Sequence, residues 1–383
     1  MKPQPLDVHY MDVRHKKHIG SRAPVAFLLR FLYPSQQIRN DLSKGDLPPM
    51  NIDPILQAAR QAVWLCREVQ HNNFKSATKT NLDQQDTEPV TIADYGSQAL
   101  ICRTLSEHFP EDAVYAEEAG EQFATLLSDE QRARVVQLLA TVLDVPVTTQ
   151  DVIRWLDFGK DRQGKAARTW VIDPIDGTKG FIAMRHYAIA IGMLDENNEP
   201  VGGVMATPGY GDGVSGYDDD GAIFYVRDGK VYQEPLSGGE AVEISPSQRT
   251  QSASIKIVQS FEREHTSKER MRRIFDDAGL SDATVIDMDS MEKYALIANG
   301  DADVLMRLPL LGSTRRHKIW DHAAGVALVL AAGGRATDLD GSPLKFTDGK
   351  NMPNQGMIVT SGVYQDALIN ATQALLAEEA QSS

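Results

Sequence analysis

The chain has 383 residues, of which 42% are apolar and 24% are charged, as expected for a globular protein with one large domain or two of ordinary size. Asp and Glu outnumber Lys and Arg by 53 to 39, and the net charge of −14 argues against a general nucleic-acid binder, because phosphate backbones attract cations. No apolar run approaches the roughly 20 residues of a membrane helix. The two cysteines are too few for a disulfide framework and indicate a reducing compartment.

The first 45 residues differ from the rest, since they hold eight Lys or Arg against three Asp or Glu. A basic leader can direct a protein to an organelle, and the plainer alternative is a disordered extension. We therefore predict an N-terminal extension over residues 1–48 in a cytoplasmic protein, with a mitochondrial or plastid location as the alternative.

Residues 49–240 are predicted to form an N-terminal α+β half. Pro54 in the first turn and an apolar stripe predict a helix that begins near Asn51 or Asp53 and runs to about His71. A polar loop over residues 76–88 and a helix over residues 95–108 follow. An insertion at 120–168 carries a further helix. The strands of this half are predicted at 113–116, 169–172, 187–194, 201–206, 222–227 and 230–233, and the helix of the insertion at 129–143.

From about residue 240 strands and helices alternate, which indicates an α/β layer in a C-terminal half over residues 241–383. The strands of this half are predicted at 254–259, 283–287, 303–308 and 357–360, and its helices at 264–278, 290–299, 321–332 and 364–378. Because clefts favour the interfaces between such halves, we expect the functional site where the two halves meet.

Acidic residues occupy four positions at the end of an apolar strand or the start of a helix. These positions are Asp94, Glu117-Glu118, Asp173 with Asp176, and Asp321. Taken alone, Asp94 and Asp321 could be simple helix N-caps, and the two glutamates could lie in a solvated loop.

The segment Asp173-Pro174-Ile175-Asp176-Gly177-Thr178 gives the strongest signal. Its two carboxylates are separated by a proline that fixes the turn, and the glycine after them allows close approach of the backbone. Such a turn presents carboxylates to a metal and N–H groups to a phosphate. Clustered carboxylates repel one another unless a cation is present, and hard oxygen ligands suit Mg²⁺. We interpret His317 and His322 as local polar contacts, because a zinc site needs further ligands.

Four motifs, in this order along the chain, resemble those of the inositol-monophosphatase superfamily over about residues 50–375. They are PVTIAD at 89–94, AEE at 116–118, WVIDPIDGTKGF at 170–181 and IWDHAAG at 319–325. Further segments are similar to the bisphosphate nucleotidase branch of that superfamily, namely KGF at 179–181, the insertion with WLDFG at 155–159, QSFEREH at 259–265, DSMEKY at 289–294 and LMRLP at 305–309. Residues 182–186 depart from the pattern of the family.

The resemblance implies a layered αβαβα sugar-phosphatase fold, of α+β or α/β class, with the active site between the two halves. It implies a phosphatase that uses two or three Mg²⁺ ions. Their expected ligands are Glu117, Asp173, Asp176, Asp321 and the backbone carbonyl of Ile175. Asp94 would be the base that deprotonates the attacking water, and the Thr178 hydroxyl would relay the proton.

The resemblance also implies the substrate, a small phosphorylated nucleotide. The N–H groups of Gly177 and Thr178 would hold the phosphate under attack, and the expected nucleotide contacts are His265, Ser290, Lys293 and Arg307. The expected reaction removes the 3'-phosphate of adenosine 3',5'-bisphosphate, or of its 5'-phosphosulfate analogue, which links the enzyme to sulfur metabolism and to inhibition by lithium. We favour a monomer.

Three alternatives stay open. The chain could be an inositol phosphate or fructose bisphosphate phosphatase of the same fold, or a catalytically silent metal-binding scaffold. Lys293 and Arg307 could instead be ordinary cations at the surface or at a strand end.

Overall fold

The computed structural model of the chain describes residues 50–71, 77–81, 86–209, 221–260, 267–288, 290–347 and 349–382. Two predictions lie outside the described residues, namely the basic extension over residues 1–48 and the nucleotide contact at His265. The division of the chain at residue 240 stays a prediction.

Most helices lie within a few residues of their predicted bounds. In chain order they are α1 (Asp53–His71), α2 (Ile92–His108), α3 (Gly120–Leu126), α4 (Asp129–Leu143), α5 (Thr149–Leu156), α6 (Thr178–Ile182), α7 (Lys268–Asp277), α8 (Glu292–Ala298), α9 (Ala323–Ala332) and α10 (Gln365–Ser382). Sequence analysis missed α3, α5 and α6, which are too short for an apolar period to be recognised. Among the described residues, no helix is both long and apolar enough to span a bilayer.

The strands also follow the predicted order. They are β1 (Ala77–Asn81), β2 (Asp86–Val90), β3 (Ala113–Ala116), β4 (Thr169–Asp176), β5 (Ala188–Leu194), β6 (Pro200–Thr207), β7 (Ala222–Arg227), β8 (Lys230–Pro235), β9 (Val242–Glu243), β10 (Lys256–Ser260), β11 (Thr284–Met288), β12 (Val304–Arg307), β13 (Arg335–Thr337) and β14 (Met357–Thr360). β3, β7 and β14 have the predicted bounds at both ends.

The larger sheet has the strand order β3-β4-β5-β6-β7-β8-β9. β3 and β4 are parallel, and the other neighbours are antiparallel. α9 packs directly on β5 and β6, where Gly192 and Gly203 leave room for the backbone of Ala324. Since side chains alternate along a strand, Ile189 and Ile191 point to the opposite face, which α1 and α2 cover.

The smaller sheet has the strand order β11-β10-β12-β14-β13. β10 is parallel to β11 and β12, whereas β14 is antiparallel to β12 and β13. Leu305 on one face of this sheet joins the core around α8 and α9, and Val304 on the other face joins a second core with α7 and α10. The layers are therefore α1/α2, large sheet, α8/α9, small sheet and α7/α10, which confirms the predicted αβαβα fold.

Several predicted bounds near the acidic motifs are wrong. Residues 76–88 are not a loop throughout, because β1 pairs with β2 from Ala77–Val90 to Asn81–Asp86. The polar sequence of these strands has no apolar alternation from which to predict them. β4 continues past residue 172 to Asp176, and α9 begins at Ala323, after Asp321.

A buried ion pair fixes the start of β4 against β3. Asp112, which is 6% exposed, accepts hydrogen bonds from Arg168 Nε at 2.5 Å, from Arg168 Nη2 at 3.1 Å and from Trp170 Nε1 at 2.7 Å. The Arg168 guanidinium also lies 5.0 Å from the ring of Phe109. Removing the carboxylate would deprive the Arg168 guanidinium, whose side chain is 19% exposed, and the buried indole N–H of this acceptor.

We expect Asp112→Ala to lower the free energy of unfolding by about 3–5 kcal/mol, because breaking a buried pair leaves its partner uncompensated. Urea denaturation measures the change. Asp366→Ala is the control, since Asp366 pairs with Arg335 at the surface, where loss of a pair costs at most about 1 kcal/mol. Equal losses in the two variants would contradict this reading of the Asp112 cluster.

Candidate active site

Asp94 is held by the cap of its own helix. Thr91 is the N-cap of α2, and its backbone N–H and its hydroxyl both donate to Asp94 Oδ2 at 2.7 Å. Asp94 is therefore not the N-cap, and because it is 1% exposed it is not a solvated side chain either. α2 begins at Ile92, three residues before the predicted start. Sequence analysis missed Thr91, although a Thr followed three residues later by an acid is a capping-box signal.

A bulge in β4 brings Asp173 and Asp176 to the same side of the strand. Asp173 pairs with Ala190 of β5 and Asp176 pairs with Ala188, so two residues of β4 lie opposite the single residue Ile189. Residues three apart in a regular strand point to opposite faces, and one extra residue restores the same face. The N–H of Ile175 inside the bulge donates to Asp173 Oδ1 at 3.1 Å and fixes that carboxylate.

Asp321 completes a cluster of three carboxylates. It lies in the turn before α9, whose N-cap is His322. One carboxylate oxygen each of Asp173, Asp176 and Asp321 lies within 4.8 Å of the others, a spacing at which these residues could hold a metal ion. The structure thus brings these three acids together, and their predicted role as metal ligands stays a prediction.

Burial and mutual repulsion both disfavour the ionised form of Asp173. Burial raises the pKa of Asp173 well above its ordinary value of 3.8, and the charges of Glu117, Asp176, Asp321 and Asp94 raise it further. Burial also raises the pKa of Asp176, whereas the cations of Lys293 and Arg307 and the N–H of Met291 oppose that rise. A bound divalent cation would relieve the repulsion, so the donor set fits a hard metal ion.

Glu117 follows β3 beside this cluster. Its backbone N–H donates to the carbonyl of Ile172 at 3.3 Å, which holds it next to the strand residue that precedes Asp173. Glu117 is half-buried and Glu118 is 1% exposed, so the two glutamates do not form a solvated loop. The predicted role of Glu117 as a metal ligand stays a prediction.

Thr178 links the carboxylate of Asp94 to the bulge. Its Oγ1 lies 3.4 Å from Asp94 Oδ1 and donates to the carbonyl of Ile175 at 3.1 Å. Gly177 before it has a φ of +88°, and a Cβ there would lie 3.2 Å from Cβ of Ser290. A glycine is therefore required at 177 for its backbone angle and for this close approach.

The turn before α8 contacts the cluster from the other sheet. The N–H of Met291 donates to Asp176 Oδ2, and Ser290, which precedes it, has a φ of +67°. Ser290 is 7% exposed, and its hydroxyl accepts the N–H of Glu292 at 3.2 Å. Non-glycine residues with such a φ are uncommon and concentrate at functional sites.

The two cations predicted to bind the nucleotide have different surroundings. Lys293 is 1% exposed, and its Nζ donates to the carbonyl of Met288 at 2.9 Å and to that of Ser290, so it is no surface cation. Arg307 at the end of β12 is half-buried, and within the described part of the chain its buried Nε has no hydrogen-bond partner. Their contacts with a nucleotide stay predictions.

The two histidines near Asp321 contact each other, and His322 also contacts Tyr294. Nδ1 of His322 lies 2.7 Å from the Tyr294 hydroxyl, and its Nε2 lies 3.3 Å from Nδ1 of His317. Burial lowers the pKa of His317 to about 3 and that of His322 well below its ordinary value, and Arg307 adds to both shifts. Sequence analysis did not foresee the contact with Tyr294, which no local spacing reveals.

Comparison with known proteins shows the family of this chain. The model of the inositol monophosphatase family matches residues 51–377. The chain belongs to the inositol monophosphatase family. The family predicted from the four motifs is thereby confirmed.

Among its relatives, a 3'(2'),5'-bisphosphate nucleotidase of Oryza sativa is 33% identical over 350 residues, which cover 86% of this chain and 96% of the relative. The 3'(2'),5'-bisphosphate nucleotidase 2 of Candida albicans is 31% identical over 339 residues, which cover 82% and 94%. The solved structure of the Thermotoga maritima IMPase has the same fold, with a TM-score of 0.57 at 18% identity over 85% of this chain and 98% of that one.

We expect Asp173→Asn to stabilise the metal-free protein at neutral pH by about 0.5–2 kcal/mol, as is common when a repulsive functional group is removed. The folded pKa of Asp173 lies above its ordinary 3.8, so the folded state binds the proton more tightly. Without metal, stability therefore falls as the pH rises from about 3.8 toward the raised pKa. Asn, which cannot ionise, removes this loss.

Thermal unfolding in a chelator at several pH values measures the effect. Asp340→Asn is the control, and it should lower the stability where Asp173→Asn raises it. Hydrogen bonds from Ser342 lower the pKa of Asp340, so its ionised form favours the folded state. A metal-free Asp173→Asn variant that is no more stable than the wild type at pH 7 would refute the repulsion argument.

Proposed function

We propose that this protein is a 3'(2'),5'-bisphosphate nucleotidase that hydrolyses the 3'-phosphate of adenosine 3',5'-bisphosphate to AMP and phosphate. One observation carries the proposal: three carboxylates are clustered, the Thr178 hydroxyl faces the buried carboxylate of Asp94, and two cations are close enough to Asp176 to lower its pKa. The names of the relatives from Oryza sativa and Candida albicans support the same reaction.

Asp94 and Thr178 prepare the water that attacks the phosphate. Oδ2 of Asp94 is held by two hydrogen bonds from Thr91, so Oδ1 is the oxygen that faces the Thr178 hydroxyl. The hydroxyl accepts a proton from the water as it donates its own to Asp94 Oδ1, and Asp94 is the final base. The N–H groups of Gly177 and Thr178 are proposed to contact the phosphate. The products are the nucleoside hydroxyl and inorganic phosphate.

We propose Mg²⁺ as the metal, in two or three ions, because carboxylate and carbonyl oxygens are the ligands that it prefers. Asp173, Asp176 and Asp321 would hold it, with Glu117 and the carbonyl of Ile175. One lone pair of the Ile175 carbonyl oxygen accepts the hydrogen bond from the Thr178 hydroxyl, and the other remains available to a metal ion. When bound, Mg²⁺ polarises the phosphate and lowers the pKa of the attacking water.

Arg307 is proposed to bind the 5'-phosphate. Its buried Nε has no partner within the described residues, and an arginine donor of this kind suits a phosphate oxygen. Its charge also lowers the pKa of Asp176, so it lies near the metal ligands. Lys293 adds positive charge at the same place, and Ser290 and His265 complete the proposed nucleotide contacts.

The further properties of this enzyme are also proposals. Lithium is expected to inhibit it by competition at a Mg²⁺ position, and its reaction belongs to sulfur metabolism. We propose a cytoplasmic monomer that acts on a small molecule. An inositol phosphate phosphatase is the second candidate, because the family model and the fold of the Thermotoga maritima IMPase support it.

Phosphate release with Mg²⁺ from adenosine 3',5'-bisphosphate, inositol 1-phosphate and fructose 1,6-bisphosphate, each with and without lithium, tests the proposal. We expect phosphate to be released mainly from adenosine 3',5'-bisphosphate, and we expect lithium to abolish that release. Asp94→Asn should lower kcat about 10²- to 10⁴-fold, because it removes the base. A preference for inositol 1-phosphate would support the proposed metal chemistry but contradict the proposed nucleotide substrate. If none of the three compounds released phosphate, a catalytically silent scaffold would be favoured.

A second experiment tests Arg307. We expect Arg307→Met to lower kcat/KM for adenosine 3',5'-bisphosphate about 10- to 100-fold, the equivalent of one charged hydrogen bond. The kcat/KM for 3'-AMP, which has no 5'-phosphate, should change less than threefold. Arg307→Lys is the matched control that keeps the charge but not the guanidinium. An equal loss on both substrates would mean that Arg307 serves the metal ligands and not the 5'-phosphate.

A further inference from the structure

Gln98 joins two of the acidic motifs through an amide clamp that the family motifs do not mark. Gln98 lies in α2, one turn after Asp94, and is fully buried. Its Nε2 donates to the carbonyl of Glu118 at 2.8 Å, and its Oε1 accepts the N–H of Glu118, also at 2.8 Å. One side chain thus makes both hydrogen bonds that a neighbouring strand would make to that residue.

This clamp fixes the peptide that follows Glu117. On its other side, the N–H of Glu117 donates to the carbonyl of Ile172 in β4. The backbone at 117–118 is therefore held between α2, which carries Asp94, and β4, which carries Asp173. The described pairing of β3 with β4 ends at Ala116 and does not reach residue 118, where the Gln98 amide makes the backbone hydrogen bonds instead.

We propose that Gln98 is a positioning residue that aims the carboxylate of Glu117 at the metal ligands of β4. This inference rests on the metal site of the proposed function. Burial strengthens the argument, because water cannot replace either hydrogen bond when the amide is removed. When a residue that orients a metal-ligating side chain through hydrogen bonds is mutated, the affinity for the metal typically falls 10- to 100-fold.

The test measures metal binding without turnover. Mn²⁺ is the probe, since it takes the same oxygen ligands as Mg²⁺ and its free ion is counted by electron paramagnetic resonance. We expect Gln98→Met, which keeps the volume but loses both hydrogen bonds, to weaken Mn²⁺ binding by the full protein about 10- to 100-fold. Gln98→Asn, which keeps the amide but retracts it by one methylene, should fold more readily and show a smaller loss.

Gln365→Met is the matched control. Gln365 is also a fully buried glutamine, and it accepts the Thr360 hydroxyl while donating to Thr337 and to the carbonyl of Ile358, away from the acidic cluster. It should lose stability as Gln98→Met does, yet bind Mn²⁺ as the wild type does. If both variants lose affinity equally, or if Gln98→Met and Gln98→Asn lose none, the inference is overturned.

Kinetics separate a positioning role from general damage. In Gln98→Met and Gln98→Asn, the Mg²⁺ concentration for half-maximal activity should rise, while KM for adenosine 3',5'-bisphosphate at saturating Mg²⁺ stays within about twofold. A rise in KM alone would overturn the inference. Failure of the wild type to bind Mn²⁺ at all is a different outcome, because it would overturn the proposed metal-dependent function itself.

Discussion

Repulsion among buried carboxylates is the constraint on which the rest of this structure depends. Three acids of the site each accept a backbone N–H: Asp94 from Thr91, Asp173 from Ile175 and Asp176 from Met291. An N–H group is a dipole without net charge, so it favours the ionised carboxylate without neutralising it. The negative charge of the cluster therefore remains to attract a cation.

The five layers bring these N–H donors together from distant parts of the chain. The turn after β4 follows a strand of the larger sheet, and the turn before α8 follows β11 of the smaller sheet. The two turns meet where Gly177 faces Ser290. Both residues have a positive φ, which is inexpensive for glycine and unfavourable for serine. The close contact allows Met291 to reach Asp176, so backbone strain on one side maintains the geometry of a carboxylate on the other.

The sequence predicted the parts of the site that depend on local chemistry. The acids could be located because each ends an apolar strand or stands near a helix start, and the glycine after Asp176 indicated close backbone approach. The bulge in β4 could not be predicted, because it depends on pairing with β5. Gln98 could not be predicted either, since a single glutamine inside a helix gives no pattern, and its partner Glu118 is twenty residues away.

Lys293 and Arg307 show why residue type alone does not determine a role. Both cations lower the pKa of Asp176, and both were predicted to bind a nucleotide phosphate. The ammonium of Lys293 donates to two backbone carbonyls of the turn before α8, so moving it toward a ligand would break bonds that shape this turn. The Nε of Arg307 has no hydrogen bond to any described residue that it would lose on meeting a phosphate. The cost of recruiting each cation therefore differs, and this difference favours Arg307 as the direct contact, with Lys293 acting on Asp176 through its charge.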